Sequence, residues 1–145
     1  MPQQNPSDAE VRALLVSAST IAIVGASSKP ERPSHGIMKK LLSAGYRVIP
    51  VNPNEREVLG QRAYPSLLDV PERIDVVDVF RRPEHTEALA GEALAIGAKA
   101  FWLQSGIVNE AAAAKARAGG LVVVMDECIG VQHALLGVPR KEIAP

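Results

Sequence analysis

The chain has 145 residues, with 16 Lys and Arg against 16 Asp and Glu, and 47% of its residues are apolar. That length fits one domain with its own core; the apolar share sets it apart from disordered segments, and zero net charge gives no electrostatic footprint for nucleic acid or an anionic membrane. A single cysteine, Cys128, excludes an intramolecular disulfide framework and a Cys-based zinc cluster, and no apolar run reaches the ~18 residues of a membrane helix, so a cytoplasmic protein is expected.

Residues 1–7 are polar and read as a flexible tail, 8–138 as the folded domain and 139–145 as a C-terminal tail. Ser7 or Asp8 caps a first helix whose apolar positions Val11, Leu14, Leu15 and Ala18 follow helical spacing. Five strand-length runs follow: IAIVGA (21–26), RVIPVN (47–52), DVVDVF (75–80), AFWLQ (100–104) and LVVVMD (121–126). The first, second and fifth are nearly continuous in apolar character, as strands of a parallel sheet covered on both faces are. Between them, HGIMKKLLSAGY ends at Gly45, PEHTEALAGEALAIG stops at Gly97, and NEAAAAKARAGG starts at a capping Asn109 and ends at Gly119-Gly120. Only NPNEREVLGQRAYPSLLDVPER is loop-rich, with SLLDV suggesting a short helix. The alternation predicts a doubly wound α/β domain with helices on both faces of the sheet.

Ligands of such sheets bind beyond the carboxyl ends of the strands, where strand order reverses. The first strand-to-helix loop, GASSKPERPSHG, delivers Gly25, Ser27, Arg32, Ser34 and His35 to a helix N-terminus, where free N–H groups favour an anion. It departs from G-x-G-x-x-G and from the phosphate-binding P-loop, and its Ser, Pro and Gly residues also suit a plain connection. The second strand ends in Val51-Asn52-Pro53-Asn54, without the carboxylate that an NAD site places there for the ribose, although Glu55 and Glu57 follow closely enough to keep NAD open. Phe80-Arg81-Arg82-Pro83 sets two guanidiniums at the exit of the third strand, a grip for phosphate. Gln104-Ser105-Gly106 adds amide and hydroxyl groups at the fourth. Acidic neighbours Asp126 and Glu127 favour an inert Cys128 thiol. The three histidines form no pair at metal-ligand spacing, and no Gly-x-Ser-x-Gly elbow or Ser/His/Asp set is present, so neither a metal nor a catalytic residue is assigned.

Together IAIVGASSKPERPSHG, GYRVIPVNPN, DVVDVFRRPEH, AFWLQSGIVNEAAA and GLVVVMDECI, over residues 10–137, resemble the small stand-alone CoA-binding proteins, related to the CoA-binding domains of succinyl-CoA synthetases and ADP-forming acyl-CoA synthetases. The resemblance implies a Rossmann-like sheet of order 3-2-1-4-5 with coenzyme A across the carboxyl ends of its strands. Gly25, Ala26 and Ser27 then approach the pyrophosphate, with Arg32, Ser34 and His35 completing the loop. Asn52 and Pro53 border the adenosine; Phe80, Arg81 and Arg82 its sugar and phosphates; Gln104, Ser105 and Gly106 the pantetheine. Glu127 departs from relatives, which often carry a basic residue there. The synthetases' phosphorylated His and nucleotide-binding modules lie in further domains, so ligase activity is not expected of these residues. The expectation is a non-catalytic carrier, sensor or regulatory module for CoA or an acyl-CoA, as monomer or homodimer, with no partner protein identified. An NAD(P)-binding enzyme or redox-sensing dinucleotide module is the alternative.

Overall fold

The computed structural model describes residues 5–142. Ser7 forms a capping box with Glu10, accepting from the Glu10 amide at 3.2 Å while the Glu10 carboxylate receives the Ser7 amide and hydroxyl. This starts helix α1 (Asp8–Ser17), which buries Val11, Leu14 and Leu15. Strand β1 (Thr20–Val24) leads through a long loop to α2 (Pro33–Ser43), then β2 (Arg47–Val51), a hairpin of β3 (Glu57–Val58) and β4 (Gln61–Arg62), and a single 3-10 turn at Leu67–Asp69. Strand β5 (Val76–Val79), a 3-10 turn at Pro83–His85, α3 (Thr86–Ala95), β6 (Ala100–Leu103), α4 (Glu110–Ala118), β7 (Val122–Val124) and α5 (Ile129–Leu135) complete the chain order. The expected Asn109 cap of α4 is present, its side chain accepting from the Ala112 amide at 3.0 Å.

Five strands pair in parallel in the order β2-β1-β5-β6-β7. Alternate residues point to opposite faces. Ile21, Ile23, Val76 and Trp102 meet α1, α2 and α5, while Ala22, Val24, Val77, Phe101 and Leu103 meet α3 and α4. Both faces are therefore dry, which explains the unbroken apolar runs. Small residues Ala90, Ala93, Ala112, Ala113 and Ala116 bring α3 and α4 together over the sheet. At the end of α4 the packing has closed so far that a Cβ on Gly119 would stand 2.2 Å from a Leu94 methyl.

Doubly wound α/β architecture is as expected; the strand order is not. Counting the five runs along the chain, the order is 2-1-3-4-5 rather than 3-2-1-4-5. The flank of β2 that the expected order gave to the third run holds a single bridging residue, Tyr64 beside Val51. Pro65 follows at once and supplies no N–H to continue a ladder. The chain then crosses to the far side of β1 before it makes β5. Strand order thus reverses between β1 and β5, which brings the loop at Arg81 and Arg82 beside the loop at Gly25.

Asn5 and Lys141, near the two limits of the described residues, both touch the body. Asn5 exchanges hydrogen bonds of 2.9 and 2.8 Å with the Met125 backbone. Lys141 donates its amide to the Ala44 carbonyl at 2.8 Å and holds its ammonium 5.1 Å from the Tyr46 ring centre. The rest of the two expected tails, residues 1–4 and 143–145, lies outside the described residues.

Candidate functional site

The loops leaving β1, β2, β5 and β6 border one cleft of about 1200 Å³, beyond the ~300–1,000 Å³ of common small-molecule pockets. Gly25 anchors its floor. Its amide donates to the Val51 carbonyl at 2.8 Å, its φ is +90°, and a Cβ there would lie 2.6 Å from the Phe80 carbonyl oxygen. Only glycine combines that backbone with that contact. Asn52 ties the second loop to the first by donating to the Ala26 carbonyl at 2.8 Å.

The first loop keeps donors free. The amides of Ala26 and Ser27 donate to none of the described residues. Ahead lies the start of α2, whose N-cap Arg32 makes no side-chain cap bond and whose first turn holds no acid. Lys29, Arg32, Arg81 and Arg82 all line the cleft. Among the described residues Glu55 is the one acidic side chain lining it, its carboxylate accepting from the Ser28 amide at 2.6 Å and the Ser28 hydroxyl at 3.0 Å. Among the described residues, a chain with no net charge thus lines a single cleft with four cations against one acid.

At the far wall Gln104 joins three elements. Its amide nitrogen donates to buried Asp78 on β5, and its oxygen accepts from the Ile129 amide of α5 at 3.4 Å. Asp78 is fully buried, and its second oxygen has no partner among the described residues. Burial pushes its carboxyl well above the usual carboxylate range, and the Gln104 bond opposes this only in part. Asp126, with φ +61°, accepts from the Gly106 amide at 2.7 Å and so fixes the neighbouring turn. Cys128, half-buried, lines the cleft beside this wall.

Of the residues expected at the site, Gly25, Ser27, Arg32, Ser34, Asn52, Pro53, Phe80, Arg81, Arg82, Gln104 and Ser105 line the cleft. Ala26, His35 and Gly106 are not among its lining residues. The Ala26 side chain is buried in the core, the His35 amide continues the turn to the Arg32 carbonyl, and Gly106 is engaged with Asp126. The site expectation omitted Ser28, Pro33, Gly36, Ile37, Asn54, Pro83 and Ile107, which also line it. Ile37 and Ile107 carried a usable signal, being the apolar residues just after two of the polar loops. No group of three or more His, Cys, Asp or Glu among the described residues is placed to hold a metal.

This fold and strand-end cleft define a Rossmann-like α/β domain with a cationic edge. The chain belongs to the CoA binding domain family, whose model matches residues 19–134. It is 46% identical over 132 residues to the uncharacterized protein YneT of Bacillus subtilis, covering 91% of this chain and 98% of that one. A 59-residue stretch is 36% identical to acetate–CoA ligase [ADP-forming] II of Archaeoglobus fulgidus, covering 39% of this chain but 9% of that enzyme. Among solved structures, a hypothetical protein from Pyrococcus horikoshii superposes with a TM-score of 0.89 at 43% identity, covering 94% of this chain and 96% of that one. The family is therefore one related to domains of ADP-forming acetate–CoA ligases.

Proposed function

We propose that the protein binds coenzyme A or an acyl-CoA in this cleft and acts as a carrier, sensor or regulatory module in the cytoplasm. The observation that carries the reading is the convergence of Lys29, Arg32, Arg81 and Arg82 with the free Ser27 amide at one strand-end cleft, next in the chain to the free Ala26 amide. Pyrophosphate suits those amides and the uncapped start of α2, because N–H groups at a helix N-terminus attract anions. Arg81 and Arg82 suit the phosphate on the ribose, since guanidinium forks bond phosphate oxygens in pairs. Asn52 and Pro53 then border the adenosine, and the wall of Gln104, Ser105 and Cys128 receives the pantetheine arm.

Titration calorimetry with CoA and with dephospho-CoA tests this. CoA binding, tighter than that of dephospho-CoA, is expected. Absence of binding by either contradicts the reading, and equal binding removes the ribose-phosphate role of Arg81 and Arg82. Glu55, just past β2, is the feature that favours a nicotinamide dinucleotide instead. Thermal stabilisation by NADH and not by CoA would select that reading.

A further inference from the structure

The cleft has an electrostatic polarity that its count of cations conceals. Lys29 and Arg32 come from the β1–α2 loop and Arg81 and Arg82 from the exit of β5, whereas the β2 side presents Glu55. That carboxylate is held in place, with one oxygen on the Ser28 amide at 2.6 Å and the other on its hydroxyl at 3.0 Å. Two hydrogen bonds use about half of the roughly four acceptor positions of a carboxylate. The remainder accept hydroxyl donors and repel phosphate. In strand-order terms Glu55 also stands where dinucleotide folds keep an acid for ribose hydroxyls, beyond the end of the second strand.

We propose that Glu55 is a specificity-determining residue, accepting from a ribose hydroxyl on the β2 side of the cleft and disfavouring a phosphate there. The inference rests on the CoA reading and deepens it. A phosphate on the ribose is steered toward the β5 side, where Arg81 and Arg82 stand, and the free hydroxyl faces Glu55. The carboxylate thereby fixes which way round the ribose sits, a task that the four cations cannot perform alone.

The test compares Kd values for CoA and dephospho-CoA in the wild type and in Glu55→Gln, which retains an acceptor for Ser28 and removes the charge. The ratio of the CoA Kd to the dephospho-CoA Kd is expected to fall by about fivefold in Glu55→Gln at low salt, the scale of a partly exposed charge pair. The shift should shrink in high salt. Glu57→Gln, which removes a nearby exposed carboxylate that does not line the cleft, should leave the ratio near the wild-type value, and a Glu57→Gln ratio that falls as far as that of Glu55→Gln contradicts the proposal. An unchanged Glu55→Gln ratio alongside tight CoA binding overturns the role of Glu55 and leaves the CoA reading standing. Equal tightening or weakening of both ligands also overturns it, since Glu55 would then only compete for the loop or staple it. Binding of neither nucleotide to any of the proteins overturns both. Should Glu55→Gln not fold, Glu55→Asp, which withdraws the charge from the cleft mouth, replaces it with the same expected direction.

Discussion

Asp75 and Asp78 sit at opposite ends of one strand, and their surroundings differ as the two edges of the sheet differ. At the amino edge, Asp75 accepts from the Ser19 and Thr20 amides at 2.8 and 3.0 Å and lies 3.6 Å from the Lys99 ammonium. Burial pushes its carboxyl up, but the two amides and Lys99 outweigh this and hold it below its ordinary range. At the carboxyl edge, Asp78 has one neutral partner and an oxygen with none among the described residues. The same edge holds the free amides of Ala26 and Ser27, the left-handed Asp126 and the four cations. The Asp75 carboxylate is fully engaged, whereas the cleft edge keeps donors and cations that no protein group among the described residues uses, as a site for an anionic ligand requires.

The largest way to break this contrast is Gly25→Val. A positive φ and a Cβ 2.6 Å from the Phe80 carbonyl oxygen should remove about 3 kcal/mol of stability, and CoA binding with it; denaturant melts and calorimetry read both. Asp75→Ala should come next, costing about 2–3 kcal/mol because two amides lose their charged acceptor. The fold should suffer while the CoA affinity of the protein that remains folded is kept. Arg81→Ala and Arg82→Ala should do the reverse, each weakening CoA by ~1–3 kcal/mol through lost charge-assisted bonds with little change in Tm.

The subtlest prediction sharpens the comparison through pH. Asp78 keeps its proton in the folded chain at pH values where the unfolded chain has released it, so its contribution is full at acid pH and is lost as pH rises above the ordinary carboxylate range. Asp75 has the opposite sign, its contribution present above that range and lost as pH falls. Asp78→Asn should therefore remove a decline in stability toward neutral pH, and Asp75→Asn a decline toward acid. Denaturant midpoints measured from pH 3 to 8 check the two slopes, and parallel slopes in both variants would contradict the assignment.

Much of this was legible in the residues. Runs such as IAIVGA and LVVVMD announce buried parallel strands because both faces must be apolar, and Gly97 and Asn109 mark helix limits by their backbone and capping chemistry. Strand order was not legible, because whether 63–65 adds a strand beside β2 depends on a single bridge at Tyr64 and the proline after it. The cleft loops were found from their position after strands. In the sequence Glu55 reads only as a substitute for a missing acid, since spacing cannot show that the turn after β2 folds its carboxylate back onto Ser28. Likewise Asp78 looks like an ordinary polar position in DVVDVF; only the helices packed on its face make it a buried acid.

The central claim is that the carboxyl edge alone receives CoA, and amide chemical-shift mapping of the labelled protein on CoA addition tests it most directly. The account predicts shifts at Ala26, Ser27, Arg81, Arg82 and Gln104, with Ser19, Thr20 and Lys99 unmoved. Shifts at the amino edge, or no shifts at saturating CoA, would contradict it.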